Sequence, residues 1–376
     1  LGKIYNNPLR RDRKPSAGFY INRKGRLTFH DMATGDRYDA FTFVCKMYGL
    51  NKEESIEKIA KDFGLIKGAQ VKYDKNVVFD VDNEIKKHEQ TLTVREEVFT
   101  QYLDQVGFNA EPVLMTYDPQ NELNKLIESV SAERPEYEFT TTDCIKHELW
   151  VLNTDQTKKC QDLFQQVNAL YIADGHHRSA SSVRYAQLKK EQGKTNNETG
   201  YFLSYIVAKD QVKILAFHRL LKSLNGFTKE SFVRAMSDLG KMTPISKAAE
   251  PEKEHQFTIC IGKDWYLFEP DSTYINDSNP VEQLDSFILS DLILKPLLGI
   301  VDLKTSDQVE FVPGNESLSS IEDKIRSGKF ELGFILHPAT IDQVKEVADA
   351  GMNMPPKSTW VEPKLRSGLT IYQLHS

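Results

Sequence analysis

The chain has 376 residues, of which 40% are hydrophobic and 27% charged, and its net charge is −6. That length suits two or three domains, and 20 glycines and 15 prolines exclude collagen-like and low-complexity chains. No apolar run reaches the roughly 18 residues of a membrane-spanning helix, and the cysteines at 45, 144, 160 and 260 are too sparse for a disulfide framework and lack metal-ligand spacing.

The first residues, Leu1-Gly2-Lys3-Ile4-Tyr5, contain no apolar core of a signal peptide, so a cytoplasmic location with free thiols is expected. An opening Leu in place of Met is expected of a chain that is processed, trimmed or part of something longer. Residues 1–68 hold 14 Lys/Arg against 8 Asp/Glu, a local +6, and the remainder is therefore −12. Arg10, Arg11, Arg13, Lys14, Arg23, Lys24 and Arg26 stand beside only Asp12, a cluster able to neutralise phosphates or simply a solvated basic face. Ala17 to Ile21 and Arg26 to Phe29 flank the turn Asn22-Arg23-Lys24-Gly25 and predict a hairpin. Two amphipathic helices follow, the second capped at Asn51 with Glu54 three residues on. Residues 69–83 read as a connector, and the body is expected over 84–376.

In the body, 84–106 reads as a helix or a strand running into one, and 111–117 as a strand. Residues 121–130 predict a helix with Leu123, Leu126 and Ile127 inward. Residues 138–141 and 147–152 pair as antiparallel strands, and 155–167 is a helix. Residues 169–173 form a buried strand, followed by a helix over 179–191. Residues 202–209 and 211–217 read as a hairpin around Lys209-Asp210, with Phe217-His218-Arg219 at its end as an edge or capping group. Helices over 228–238, 281–294 and 341–350 and strands near 256–261, 265–268 and 333–336 complete an α+β pattern with mixed sheets.

The sharpest local signal is Tyr171-Ile172-Ala173-Asp174-Gly175-His176-His177-Arg178, a strand, a tight turn and a helix start. Such a turn aims backbone N–H groups and the helix dipole at one point, which suits an anion. Gly175 permits close backbone approach, Arg178 offers a planar fork, the histidines exchange protons or hold metal, and Asp174 orients an imidazole or binds Mg²⁺. A phosphate-type site is the expectation, with a metal site and a structural polar network as alternatives. Lys87-His88-Glu89 taken alone is a surface charge run. Met354-Pro355-Pro356-Lys357-Ser358-Thr359-Trp360 is a stiffened loop that closes over a ligand or ties down the C-terminus.

Two resemblances cover different parts of the chain. From about residue 80 onward it resembles the domain-of-unknown-function family 1015, whose members carry an Asp-Gly-His-His-Arg core and are also labelled SpoOJ/ParB-like. The matching stretches are 85–91, 171–178, 284–300 and 354–359 with Pro363-Lys364-Leu365 and Ser367-Gly368-Leu369. Residues 1–66, through 7–16, 25–29, Gly35-Asp36 and 41–44, resemble the N-terminal zinc-ribbon region of DNA primases. Asn7, Arg10 and Phe29 stand where that family has ligands, so no zinc is expected.

The first resemblance implies a mixed-sheet ParB/sulfiredoxin-like body behind a small β-hairpin-plus-helices unit. It implies a nucleotide (ATP or ADP, with Mg²⁺) held at Gly175 and Arg178 with Lys357, and Asp174, His176, His177, His88 and Glu89 in catalytic roles. The activity implied is that of a small-molecule kinase of free-serine type or a nucleotide hydrolase. The alternatives are a ligand sensor without turnover, or a nucleic-acid accessory protein binding single strands weakly through Arg10, Arg11, Arg13, Lys14 and Arg26. No membrane partner is expected, and the oligomeric state is open.

Overall fold

A computed structural model describes residues 84–374 apart from 143, together with the backbone of four strands nearer the N-terminus. The chain divides into two compact units, Leu1–Lys75 and Asn76–Ser376. In the first, β1 (Ile4–Tyr5), β2 (Ala17–Ile21), β3 (Leu27–Asp31) and β4 (Arg37–Asp39) form one antiparallel sheet in chain order. Strands β2 and β3 pair Phe19 with Phe29, so the hairpin expected from the sequence is present. The helices expected in this unit, its basic side chains and the 69–83 connector lie outside the described residues.

The second unit runs β5 (Ile85–Lys86), α1 (Thr93–Val106), β6 (Phe108–Asn109), β7 (Val113–Tyr117), α2 (Asn121–Ser131), β8 (Tyr137–Thr140), β9 (Lys146–Leu149), α3 (Thr154–Phe164), β10 (Leu170–Asp174) and α4 (His176–Glu191). It continues through β11 (Ser204–Ala208), β12 (Lys213–Leu215), β13 (Phe217–Leu221), α5 (Lys229–Ser237), β14 (Gly240–Ile245), β15 (Phe257–Ile261) and β16 (Asp264–Pro270). Last come α6 (Asp285–Ile288), β17 (Val309–Pro313), α7 (Leu318–Arg326), β18 (Leu332–Leu336), α8 (Ile341–Asp349), β19 (Trp360–Glu362) and β20 (Tyr372–Gln373).

Two sheets carry this unit, and the class is α+β. The first, ordered β11-β7-β10-β5, is mixed: β7 and β10 are antiparallel, and each has a parallel outer neighbour. Its alternating residues feed two cores. Val113, Met115, Leu170 and Ile172 face Leu123 of α2 and Phe164 of α3, while Leu114, Ala173 and Val207 face Val361. The second sheet is antiparallel throughout, ordered β14-β16-β15-β18-β13-β17. Its central strands are buried on both faces. Ile259, Phe257 and Phe334 pack on Phe232 and Met236 of α5 and on Leu289 and Ile293, whereas Cys260, Leu220 and Ile335 pack on Ile321 and Ile325 of α7. Each such side chain contributes roughly 1.5–3 kcal/mol relative to exposure. Side-chain caps at Asn153, Thr228, Ser317 and Thr340 open α3, α5, α7 and α8.

Several local expectations are corrected. The 202–217 hairpin does not form: β11 pairs parallel to β7, β12 pairs with β19, and Lys209–Gln211 is a single 3₁₀ turn. Burial of Val207 and Ala208 against the first sheet outweighs the local turn. Phe217-His218-Arg219 is neither edge nor cap, because all of β13 is buried. Ile127 is 48% exposed; the buried stripe of α2 is Leu123, Leu126 and Val130. Helix α4 starts at His176, three residues before the expected Ser179, because Gly175 turns the chain without a side-chain cap. The expected 281–294 helix begins only at Asp285, since Asn279 Oδ1 accepts from the Val281 and Glu282 amides and holds a turn there; its second half, Leu289–Leu294, is wound as a π-helix. Among the described residues no helix is long and apolar enough to cross a membrane.

Candidate functional site

The parallel pairing of β5 with β10, Leu170 opposite Ile85 and Tyr171 opposite Lys86, carries the two strand ends forward together. That register brings His88 and Glu89 beside the Asp174–Arg178 turn, although some 85 positions separate them in sequence. The register of β10 on β7 shifts between Ile172 and Asp174, a bulge of the kind that re-aims a side chain at a strand end. Gly175 then takes φ +99°, and α4 starts at once.

Arg178, one helical turn on, folds back over Gly175. A Cβ placed on Gly175 would lie 2.7 Å from Arg178 Nη2 and 2.9 Å from Cζ. The guanidinium donates from Nη1 to Glu111 Oε1 at 3.0 Å and sits 3.8 Å from Asp174 Oδ2, and its buried Nε has no partner. Asp174 Oδ2 also accepts from Lys364 Nζ at 2.9 Å.

His88 and His176 are 3% and 6% exposed and meet edge to face with ring centroids 4.5 Å apart. His88 Nδ1 and His176 Nε2 are buried and unpartnered, and Glu89 Oε2 lies 3.7 Å from His176 Nδ1. Burial pushes His88 down to about 4, against the opposing pull of Asp174 and a hydrogen bond with the Ile172 backbone. Burial, then His88 and His177, hold His176 well below the usual histidine range. Burial and Arg95 lower His177 as well. All three are therefore held in the neutral form at pH 7, partners for hydrogen bonds rather than cations. The Glu89 side chain is 48% exposed at the cleft mouth, and the packing on its inner side raises it, opposed by Lys357 and reinforced by Asp174.

A cleft of about 140 Å³ opens beside this turn. His88, Glu89, Ala173 and Asp174 form one wall; Phe217, the Met354–Val361 segment and Lys364 form the rest. Lys357 sits at φ +59° with its Nζ 5.3 Å from the Phe217 ring centroid, and Lys364 Nζ lies 4.7 Å from that of Trp360. The Met354 amide donates to the His88 carbonyl at 2.8 Å, and Ser358 Oγ lies 2.8 Å from Ser286 Oγ and donates to the Pro355 carbonyl at 2.7 Å.

Of the residues singled out from sequence, Asp174, His88, Glu89 and Lys357 thus line one cleft. His176 backs it through His88, and Gly175 makes the turn beside it. His177 and Arg178 are not among the lining residues, and Arg178 is engaged by Glu111. Lys364, Trp360 and Glu111 were not singled out as site residues. Lys364 lies in a matched stretch and had that much signal; Glu111, next to a proline ahead of β7, had none. The basic residues proposed to meet nucleic acid, Arg10, Arg11, Arg13, Lys14 and Arg26, lie outside the described residues.

Among the described residues no three His, Cys, Asp or Glu side chains cluster as a metal-holding group. Magnesium needs fewer, since it takes one or two carboxylates and completes its shell with water and substrate phosphate oxygens. Asp174 and Glu89, two carboxylates lining one cleft, are donors of that kind.

Fold and cleft together define an α+β protein with a mixed and an antiparallel sheet, and with lysines and carboxylates facing one pocket. The chain belongs to the family described as Protein of unknown function (DUF1015), whose pattern matches residues 46–287 and so includes the Asp174–Arg178 turn. Among solved structures it is similar to a free serine kinase variant in complex with ADP, at 17% identity and TM-score 0.38, over 81% of this chain and 96% of that one. A conserved hypothetical protein from Pyrococcus furiosus is similar at 15% identity and TM-score 0.36, over 77% and 92%. SbnI from Staphylococcus aureus, truncated at its C-terminus, is similar at 13% identity and TM-score 0.38, over 78% and 85%. No curated protein matches the chain.

Proposed function

We propose that the cleft binds a phosphate-bearing small molecule, a nucleotide such as ADP or ATP, and that the protein passes a phosphoryl group to a small hydroxyl acceptor of the free-serine type or hydrolyses the nucleotide. The observation that carries this is the convergence on one cleft of two lysines, Lys357 and Lys364, with the carboxylates Glu89 and Asp174 at a helix start turned by glycine. Phosphoryl transfer gains most of its rate from positioning and charge stabilisation, and cations facing a partly dry pocket supply both.

In this scheme Lys357 and Lys364 neutralise phosphate oxygens, while the first amides of α4 and Gly175 add their dipoles. Arg178 joins them by exchanging Glu111 for a phosphate. Glu89, raised by burial and 3.7 Å from His176, is placed to take the proton of an attacking hydroxyl or water. His88 and His176, both held neutral by burial, wall that carboxylate, with His177 beside them at the helix start. Asp174 would hold Mg²⁺, its shell completed by water and phosphate oxygens, and the ion would supply charge neutralisation across the phosphates when bound.

The test is a thermal-shift and calorimetric titration of the whole chain with ADP, ATP and inorganic phosphate, with and without Mg²⁺, repeated on Lys357→Met and Arg178→Ala. A charged hydrogen bond is worth about 2 kcal/mol, so either variant is expected to weaken nucleotide binding about 30-fold. Phosphorus NMR with serine as acceptor then separates a kinase from a hydrolase, and binding without turnover identifies a sensor. A chain that binds none of these ligands refutes the assignment, and single-stranded nucleic acid becomes the next ligand to titrate.

A further inference from the structure

Arg219 on β13 is 1% exposed, and burial alone pushes its guanidinium down to about 9, with no carboxylate pulling it back. A buried cation without an acidic partner is expensive, and an apolar residue of similar volume often serves stability as well or better. The next two residues of the strand, Leu220 and Leu221, are just such residues. What the arginine does that a methionine cannot is donate. Nη1 gives a hydrogen bond to the Phe217 carbonyl at 2.7 Å, and Nη2 gives one to the Lys357 carbonyl at 2.9 Å. The plane is held from a third side by the Phe311 ring, whose centroid is 4.5 Å from Cζ.

Both carbonyls belong to residues that line the cleft, whereas Arg219 itself does not reach it. Lys357 holds φ +59°, a conformation uncommon outside glycine and one that persists only where the surroundings impose it. Its main chain is thus pinned from below by the arginine, while its ammonium stands over Phe217 at the cleft. Met354 and Ser358 tie the same loop at either side, to the His88 carbonyl and to Ser286, so the arginine contact lies between two other anchors.

We infer that Arg219 is a positioning residue: it locks the Lys357 backbone in the left-handed conformation and so aims the Lys357 ammonium into the cleft. The aim matters for ligand binding only if the cleft takes an anion, so this inference rests on the function proposed above; the backbone lock does not depend on it.

The experiment uses the whole chain as wild type, Arg219→Lys, Arg219→Met, Lys357→Met and the Arg219→Met/Lys357→Met double variant. Arg219→Lys keeps the charge but loses the two-pronged geometry, and it is the variant read if Arg219→Met does not fold. Hydrogen exchange at the Met354 amide, which ties the same loop to the His88 carbonyl, is expected with no ligand present to quicken about tenfold or more in both Arg219 variants, the loss of one charge-assisted hydrogen bond from that loop. ADP affinity is expected to fall in Arg219→Met or Arg219→Lys by about as much as in Lys357→Met, and the double variant is expected to be no weaker than Lys357→Met alone. Unchanged exchange at the Met354 amide overturns the inference, as does an ADP loss that adds fully to that of Lys357→Met. If wild type binds no ADP, the function proposed above fails, and the exchange measurement still decides the role of Arg219.

Discussion

Replacing Gly175 by alanine tests the turn at the head of α4. Two costs follow from the geometry. The first is conformational: at φ +99° an L-residue is strained by roughly 1–3 kcal/mol. The second is steric: the new Cβ would sit 2.7 Å from Arg178 Nη2 and 2.9 Å from Cζ and Nε, so the guanidinium must leave. Leaving breaks the 3.0 Å contact with Glu111, a partly exposed pair worth about 0–1 kcal/mol. The sum is a loss of roughly 1–4 kcal/mol, of which up to about 1 kcal/mol depends on Arg178. Gly193→Ala is the control, because Gly193 also has positive φ, +64°, but nothing within 4 Å of its added Cβ. Urea denaturation of wild type, Gly175→Ala, Arg178→Ala, the double variant and Gly193→Ala measures each figure. Gly175→Ala is expected to cost more than Gly193→Ala, and to cost less once Arg178 is gone. Equal costs at the two glycines, or no coupling to Arg178, would refute the account of this turn.

Two further predictions concern pH. His88 and His218 are pushed down to about 4, each chiefly by burial, and burial holds His176 well below the usual histidine range, against an unfolded value of about 6.5. Between those values the unfolded chain binds protons that the folded chain refuses, so stability falls as pH drops from about 6.5 to about 4; at 1.36 kcal/mol per pKa unit, His88 alone accounts for about 3 kcal/mol of it. His88→Gln is expected to flatten part of that slope in urea denaturation between pH 4.5 and 7, and an unchanged slope counts against a buried neutral His88. Asp285 behaves in the opposite sense: burial raises it to about 7, against the pull of the His255 amide on Oδ1, and its Oδ2 is buried without a partner. The folded chain keeps a proton there that the unfolded chain releases, so this residue erodes stability as pH rises from about 4 to about 7. Asp285→Asn keeps the Oδ1 acceptor and is expected to gain stability at pH 8 relative to pH 5, and an equal change at both pH values would rule out a raised Asp285.

The sequence by itself determined what depends on neighbours along the chain. The Asp174–Arg178 turn was legible because a buried strand, a glycine and a helix start follow one another within eight residues. Ala17 to Ile21 and Arg26 to Phe29 on either side of Asn22-Arg23-Lys24-Gly25 marked a hairpin, and the two strands do pair. The helical spacing over 121–130 and 341–350 placed α2 and α8 nearly to the residue, although it put Ile127 inward where the structure buries Val130. The α+β class followed from the mixture of the two periods.

Tertiary structure alone decided which strands meet, because pairing is settled by burying both faces of a sheet rather than by the nearest turn. That is why 202–217 looks like a hairpin and is instead two strands that pair elsewhere, β11 with β7 and β12 with β19, followed by the first residue of β13. It is also why Lys87-His88-Glu89 looks like a solvated run, although the β5–β10 register drives His88 into the core and against His176. Arg178, a free fork on paper, is drawn onto Glu111, which only the fold brings near. The role of Arg219 was invisible for the same reason: its acceptors include the Lys357 carbonyl, 138 residues away, and no local pattern records a main-chain contact across that distance.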